Sequence, residues 1–165
     1  MPAIAQPARM ATLRFVPQSS LPVLDPMFSS EVVTNHGFYI YDTLYSTDSK
    51  GIARPQMGEG HSVSDDGRTW RIRLRDGLLF HDGTPVRAAD CAASLARRRA
   101  KVESFGLLLG KTVDRWDTPD DRTLEIRLNK PFPLLLEAIG KMQSRVACQS
   151  AHHRGSDTIS LIATG

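Results

Sequence analysis

Residues 64–90 read SDDGRTWRIRLRDGLLFHDGTPVRAAD. The order of turn, strand, further turns and helix start within them decides the fold. Asp66 and Gly67 supply the positive backbone angles of a tight hairpin turn. Trp70, Ile72 and Leu74 then alternate with Arg71, Arg73 and Arg75, the period-two pattern of a strand buried on one face and wet on the other. Asp76-Gly77 and Asp82-Gly83 mark two more turns. A helix starts at residues 88–90, with Asp90 where the helix dipole favours a negative charge. An antiparallel hairpin leading into a helix predicts an α+β domain.

Outward from this stretch, a second hairpin follows the helix. It comprises a strand over 113–117, a turn at Thr118-Pro119-Asp120-Asp121, and a strand over 122–128 with Leu124, Ile126 and Leu128 on one face. RTLEIRL at 122–128 echoes RTWRIRL at 68–74, but the flanking residues do not match at the same offset, so these are two similar hairpins in one sheet. Between them, Ala88, Cys91, Ala92, Leu95 and Ala96 form a narrow helical stripe whose small residues predict close approach to the sheet. Residues 105–109 form a short helix or turn. KPFPLLLEAIG at 130–140 predicts a last helix with Pro in its first turn and Gly at its stop.

Towards the N-terminus, Leu13 and Phe15 alternate with Thr12 and Arg14, a first strand over 11–16. Gln18, Ser19 and Ser20 lie in a loop. Ser29 or Ser30 caps a helix beginning at Glu31, with Val33, Ile40 and Leu44 at helical spacing and Gly37 allowing close packing. Asp48-Ser49-Lys50-Gly51 is a turn, and residues 55–60 make an irregular crossing.

The order D-D-G-x-T-W-x-[apolar]-x-L-R-x-G-[apolar]-x-F-H-D-G-x-P-V-x-A-x-D resembles the motif of the family 5 solute-binding proteins, extracytoplasmic receptors of peptide and nickel ABC importers. Asp66, Gly67, Thr69, Trp70, Leu74, Arg75, Gly77, Phe80, His81, Asp82, Gly83, Ala88 and Asp90 carry the match. Arg87 departs from it, standing where the family usually has a Thr able to cap the helix. Leu24-Asp25-Pro26, Tyr41-Asp42-Thr43-Leu44-Tyr45 at the close of the first helix, and Lys130-Pro131-Phe132 extend the likeness over about residues 11–141. The resemblance implies part of a periplasmic-binding-protein type II-like fold whose second lobe is missing. Residues 1–10 would be a signal-peptide remnant or disordered terminus, 11–141 the N-terminal lobe, and 142–165 a divergent tail able to stay disordered. It implies a periplasmic protein that binds a small peptide or similar solute and delivers it to an ABC permease, with Gln18, Ser19 and Ser20 near the ligand. A lone lobe leaves sheet edges through which copies could associate.

The chain has 165 residues and a net charge of +3, its Lys and Arg spread along strands and helices rather than gathered in one block. Such spacing fits a solvated surface and not a nucleic-acid partner. The two cysteines, Cys91 and Cys148, have neither C-x-x-C nor zinc-finger spacing. A buried free thiol is the first reading of Cys91, and a disulfide with Cys148 is the alternative. No stretch is apolar and long enough to span a membrane as a helix. Residues 1–8, MPAIAQPA, lack the basic start and apolar core of a full signal peptide, although Ala3-Ile4-Ala5 has the small-x-small form of a cleavage site.

Gly106-Leu107-Leu108-Leu109-Gly110-Lys111-Thr112 mimics a phosphate-binding loop but has three residues between its glycines, one short of the four that let successive amides wrap phosphates. His36, His61, His81, His152 and His153 show no metal-ligand spacing. The Asp residues beside Gly or Pro read as turn formers. The expectation is a binding protein with no catalytic constellation, no metal and no cofactor.

Overall fold

In the computed structural model, Val16, Ser20 and residues 31–99 and 104–140 are described. Of the strand expected over 11–16 only Val16 is among them, and the tail beyond 141 lies outside. Ten elements follow in order: α1 (Glu31–Ile40), β1 (Tyr45–Thr47), β2 (Ala53–Pro55), β3 (Gly58–Val63), β4 (Thr69–Leu74), α2 (Ala88–Arg99), α3 (Ser104–Thr112), β5 (Val113–Asp120), β6 (Thr123–Leu128) and α4 (Leu135–Gly140). The architecture is α+β, with antiparallel hairpins and packed helices.

The two predicted hairpins share one antiparallel sheet in the order β3-β4-β6-β5. The two strands that echo each other in sequence pair at its centre, with Trp70 opposite Ile126 and Ile72 opposite Leu124. One face of the sheet therefore presents Trp70, Ile72, Leu74, Leu124, Ile126 and Leu128, all buried. Ala88, Cys91 and Leu95 of α2, Leu109 of α3 and Leu135, Ala138 and Ile139 of α4 complete the core with them. Each such Leu or Ile stabilises the fold by about 1.5–3 kcal/mol relative to an exposed side chain. Ala96, placed on the apolar stripe by spacing, is exposed, and Ser94 is buried in its stead.

The central turn takes a form other than the expected one. Only glycines have positive φ among the described residues, so Gly67 (φ 67°) adopts the left-handed conformation and Asp66 does not. Gly67 N donates to Ser64 O at 2.8 Å and Ser64 N to Thr69 O at 2.9 Å. This is a four-residue loop closed by a left-handed glycine, the longer relative of the two-residue turn.

Helix α2 starts without a capping hydroxyl. Its first amide, Ala88 N, donates to Asp121 O in the β5–β6 turn at 2.7 Å, which ties the helix end to the sheet. Cys91 is fully buried on this helix, and Cys148 lies outside the described residues.

Three further boundaries shift. The segment Tyr41-Asp42-Thr43-Leu44-Tyr45 does not close a helix: α1 stops at Ile40, and Leu44 O accepts from Gln56 N (3.0 Å) and Gly58 N (3.1 Å) as the chain enters a small β1–β2 hairpin. Strand β5 runs through Thr118-Pro119-Asp120, because an edge strand tolerates a proline and the extra residues form a bulge between Asp117 and Asp120. The turn is thereby displaced to Asp121 and Arg122. Helix α4 begins at Leu135, beyond both prolines, so Pro131 is not in its first turn. Its last residue, Gly140, faces the small hairpin, where an added Cβ would lie 3.4 Å from Tyr45 Cβ and 3.5 Å from Ala53 Cβ. Thr47 Oγ1 donates to Gly140 O at 2.6 Å.

Candidate functional site

Of the three residues placed near a ligand, only Ser20 is described, and it is exposed; Gln18 and Ser19 lie outside the described residues. The motif residues themselves hold the scaffold. Asp66 Oδ1 accepts from Arg68 N at 3.0 Å, and Asp82 Oδ1 accepts from Thr84 N at 3.0 Å. Two aspartates outside the motif do the same: Asp48 Oδ1 accepts from Lys50 N and Ile52 N at 2.9 Å, and Asp120 Oδ1 from Arg122 N at 2.8 Å. Four of the turn aspartates thus act as turn formers, bonding the backbone two residues on. Ile52 N, then Arg54, hold the Asp48 carboxyl below the usual carboxylate range. The Ser64 hydroxyl, then Arg68 N, do so for Asp66, and Arg122 N, then Thr123, for Asp120.

The outer face of the sheet carries ion pairs across its strands. Arg71 Nε on β4 and Arg127 Nε on β6 each approach a different oxygen of Glu125 at 2.7 Å, and Arg127 and Arg115 both reach Asp117 on β5, at 3.2 and 2.8 Å. Burial pushes the Glu125 carboxyl up, but hydrogen bonds from Arg71 and Arg127 outweigh it and hold the group below its ordinary value. Glu59 bridges Arg73 at 3.3 Å and Arg122 at 3.5 Å, and Arg122 also pairs with Asp76. Because these charges are mutually paired, the face has no large single-sign field.

An aromatic cluster joins the small hairpin to the main sheet. The buried Tyr45 hydroxyl lies 2.9 Å from His61 Nδ1. The His61 ring stacks on Trp70, with centroids 5.5 Å apart and planes at 21°, and meets Tyr45 edge-on at 5.8 Å and 71°. In sequence His61 is one of five scattered histidines with no ligand spacing. Tyr45 and His61 are brought together by the fold and not by their spacing, and within the sheet His61 and Val63 stand opposite Ile72 and Trp70.

The segment with phosphate-loop likeness lies within α3, so its backbone serves a helix rather than a loop. Among the described residues, no group of three or more His, Cys, Asp or Glu side chains is placed to hold a metal ion, and no helix is long and apolar enough to cross a membrane.

Residues 53–165 match the model of the bacterial extracellular solute-binding proteins, family 5 Middle. The chain is 45% identical over 117 residues to a Sinorhizobium fredii protein named "Probable peptide ABC transporter periplasmic-binding protein", covering 70% of this chain and 22% of the relative. It is 28% identical over 123 residues to the glutathione-binding protein GsiB of Escherichia coli, covering 73% of this chain and 24% of that one. It thus spans about a quarter of the length of these curated relatives. Among solved structures, Listeria monocytogenes OppA bound to peptide superposes with a TM-score of 0.63 at 24% identity, over 76% of this chain and 28% of that one. That likeness shows the fold, part of a periplasmic-binding-protein type II-like architecture. With the family model covering residues 53–165, the chain belongs to the bacterial extracellular solute-binding proteins of family 5.

Proposed function

We propose that this chain forms part of the N-terminal lobe of a periplasmic receptor that captures small peptides or similar solutes and hands them to an ABC permease. The observation that carries this reading is the 45% identity over 117 residues to a relative named as a peptide ABC transporter periplasmic-binding protein. The relative named as glutathione-binding also takes a small peptide, which supports that ligand class. The described residues suit a supporting role: motif aspartates and glycines fix turns, and the arginines of the outer face are committed to ion pairs. Gln18, Ser19 and Ser20 are the residues proposed to face the solute. Two lobes closing on a ligand exclude water from the cleft and create the form a permease recognises.

A lobe without its opposing wall gives up most of the buried area that such a grip requires. Calorimetric titration of the 165-residue chain with tri- and tetrapeptides and glutathione should therefore show weak or undetectable binding. Submicromolar affinity for the chain alone would overturn the two-walled reading.

Self-association through sheet edges, the alternative role, has less support. The β5 edge carries Pro119, Asp114, Arg115 and Asp117 and two register shifts, and the β3 edge is interrupted at Gly58 and Gly60. Charge, proline and bulges are the devices that blunt edge pairing.

A further inference from the structure

The Tyr45–His61–Trp70 cluster sits where two parts of the fold meet. On one side are β1, β2 and α4, joined by the Thr47 hydroxyl on Gly140 O and by the close approach of Gly140 to Tyr45 and Ala53. On the other is the four-stranded sheet, which contributes His61 from its edge strand and Trp70 from β4. Tyr45 is 1% exposed, whereas His61 is open to solvent. The one group that exchanges protons readily with water is thus bonded to a hydroxyl that has no access to it.

We propose that His61 is a protonation-sensitive latch holding the β1–β2 hairpin and α4 against the main sheet. In the neutral ring with its proton on Nε2, Nδ1 accepts the Tyr45 O–H, and both partners are satisfied. In the imidazolium both ring nitrogens donate, so Nδ1–H can only point at the Tyr45 oxygen. The phenolic hydrogen must then turn away inside a buried site. The imidazolium also gains attraction to the Trp70 face, which keeps the ring stacked on the sheet while its hold on the hairpin weakens. Histidine is the residue type whose charge changes between about pH 5 and pH 8.

Tyr45, from β1, is the titratable group bonded to the imidazole. Burial raises its pKa, so it remains a neutral phenol through this range. The charged neighbours on β3 and β4 point to the opposite face: Glu59 pairs with Arg73 and Arg122, and Arg71 with Glu125. With those charges committed elsewhere, protonation of the ring is felt through Tyr45 and Trp70.

The test is hydrogen exchange of the whole chain at about pH 8 and about pH 5, with protection corrected for intrinsic rates, beside tryptophan fluorescence in a Trp116→Phe background that isolates Trp70. The latch predicts roughly fivefold lower protection of the Tyr45–Thr47 and Ala53–Arg54 amides at the lower pH, the size of one hydrogen bond's net contribution, with quenching of Trp70 by the stacked imidazolium. Tyr45→Phe should keep the quenching and lose the pH dependence of protection, and His61→Gln should lose both. Equal protection at both pH values, or the same pH response in Tyr45→Phe, would overturn the proposal. Unquenched fluorescence across the range would remove its stacked cation.

Discussion

Asp90 Oδ2 accepts a hydrogen bond from the backbone amide of Arg87 at 2.9 Å, so the side chain at the third helical position of α2 reaches back to the residue that precedes the helix. This is the acidic half of a capping box whose hydroxyl half is missing, because Arg87 stands at the cap. Asp90 is only 6% exposed, and it satisfies a donor that would otherwise be left at the helix end. Asp90→Ala should cost about 1–2 kcal/mol, and Arg87→Thr should add about 0.5–1 kcal/mol by supplying the absent hydroxyl. Urea denaturation of the two variants checks both signs. An unchanged midpoint for Asp90→Ala would mean the contact carries no stability.

The pairing of Ile72 with Leu124 predicts a contrast between the two faces of β4. Ile72 is fully buried at the centre of the sheet, and Ile72→Ala should destabilise by about 2–5 kcal/mol through lost burial and a cavity. Arg71, whose side chain is 59% exposed, pairs with Glu125, and Arg71→Ala should cost under about 1 kcal/mol. Equal losses at the two sites in chemical denaturation would contradict the assignment of faces.

Much of the sheet was legible for the reason this contrast exists. Arginines alternating with Trp70, Ile72 and Leu74 fix the register, since a slip of one residue would bury three charges. The strands β1 and β2 escaped because three residues are too few for a period to show, and Ala53-Arg54-Pro55 has no apolar alternation. Pro119 read as a turn because a sequence does not show that its strand lies at an edge, where a missing amide goes unneeded. At the candidate site, Gln18, Ser19 and Ser20 came from family resemblance. The Tyr45–His61 bond, between residues 16 apart, depends on how β1 and β3 are folded together.

Acid should destabilise the chain through its turns and its outer face. Asp48, Asp66, Asp120 and Glu125 all have folded-state pKa values below their ordinary ones. A depressed carboxyl contributes stability that is complete above the unfolded pKa and is lost as the pH falls through the folded one. These carboxyls should therefore leave the melting temperature untouched down to about pH 5 and lower it below about pH 4. Replacing the three aspartates with Asn keeps their turn-forming oxygens and removes their titration, so the acid limb should flatten and the neutral-pH stability should drop by the share their charges contributed. An equally steep limb in that variant would assign acid sensitivity to other groups.

The central claim is that these residues form a lobe that supports solute capture when the rest of a receptor is present. The most direct test replaces the matching segment of the Sinorhizobium fredii relative with residues 11–140 of this chain and titrates parent and chimera with the same di- to tetrapeptides and glutathione by calorimetry. The account predicts that the chimera binds whatever the parent binds, within about tenfold, and that alanine at Gln18, Ser19 and Ser20 together weakens it by more than about tenfold. A folded chimera that binds nothing its parent binds would contradict the account.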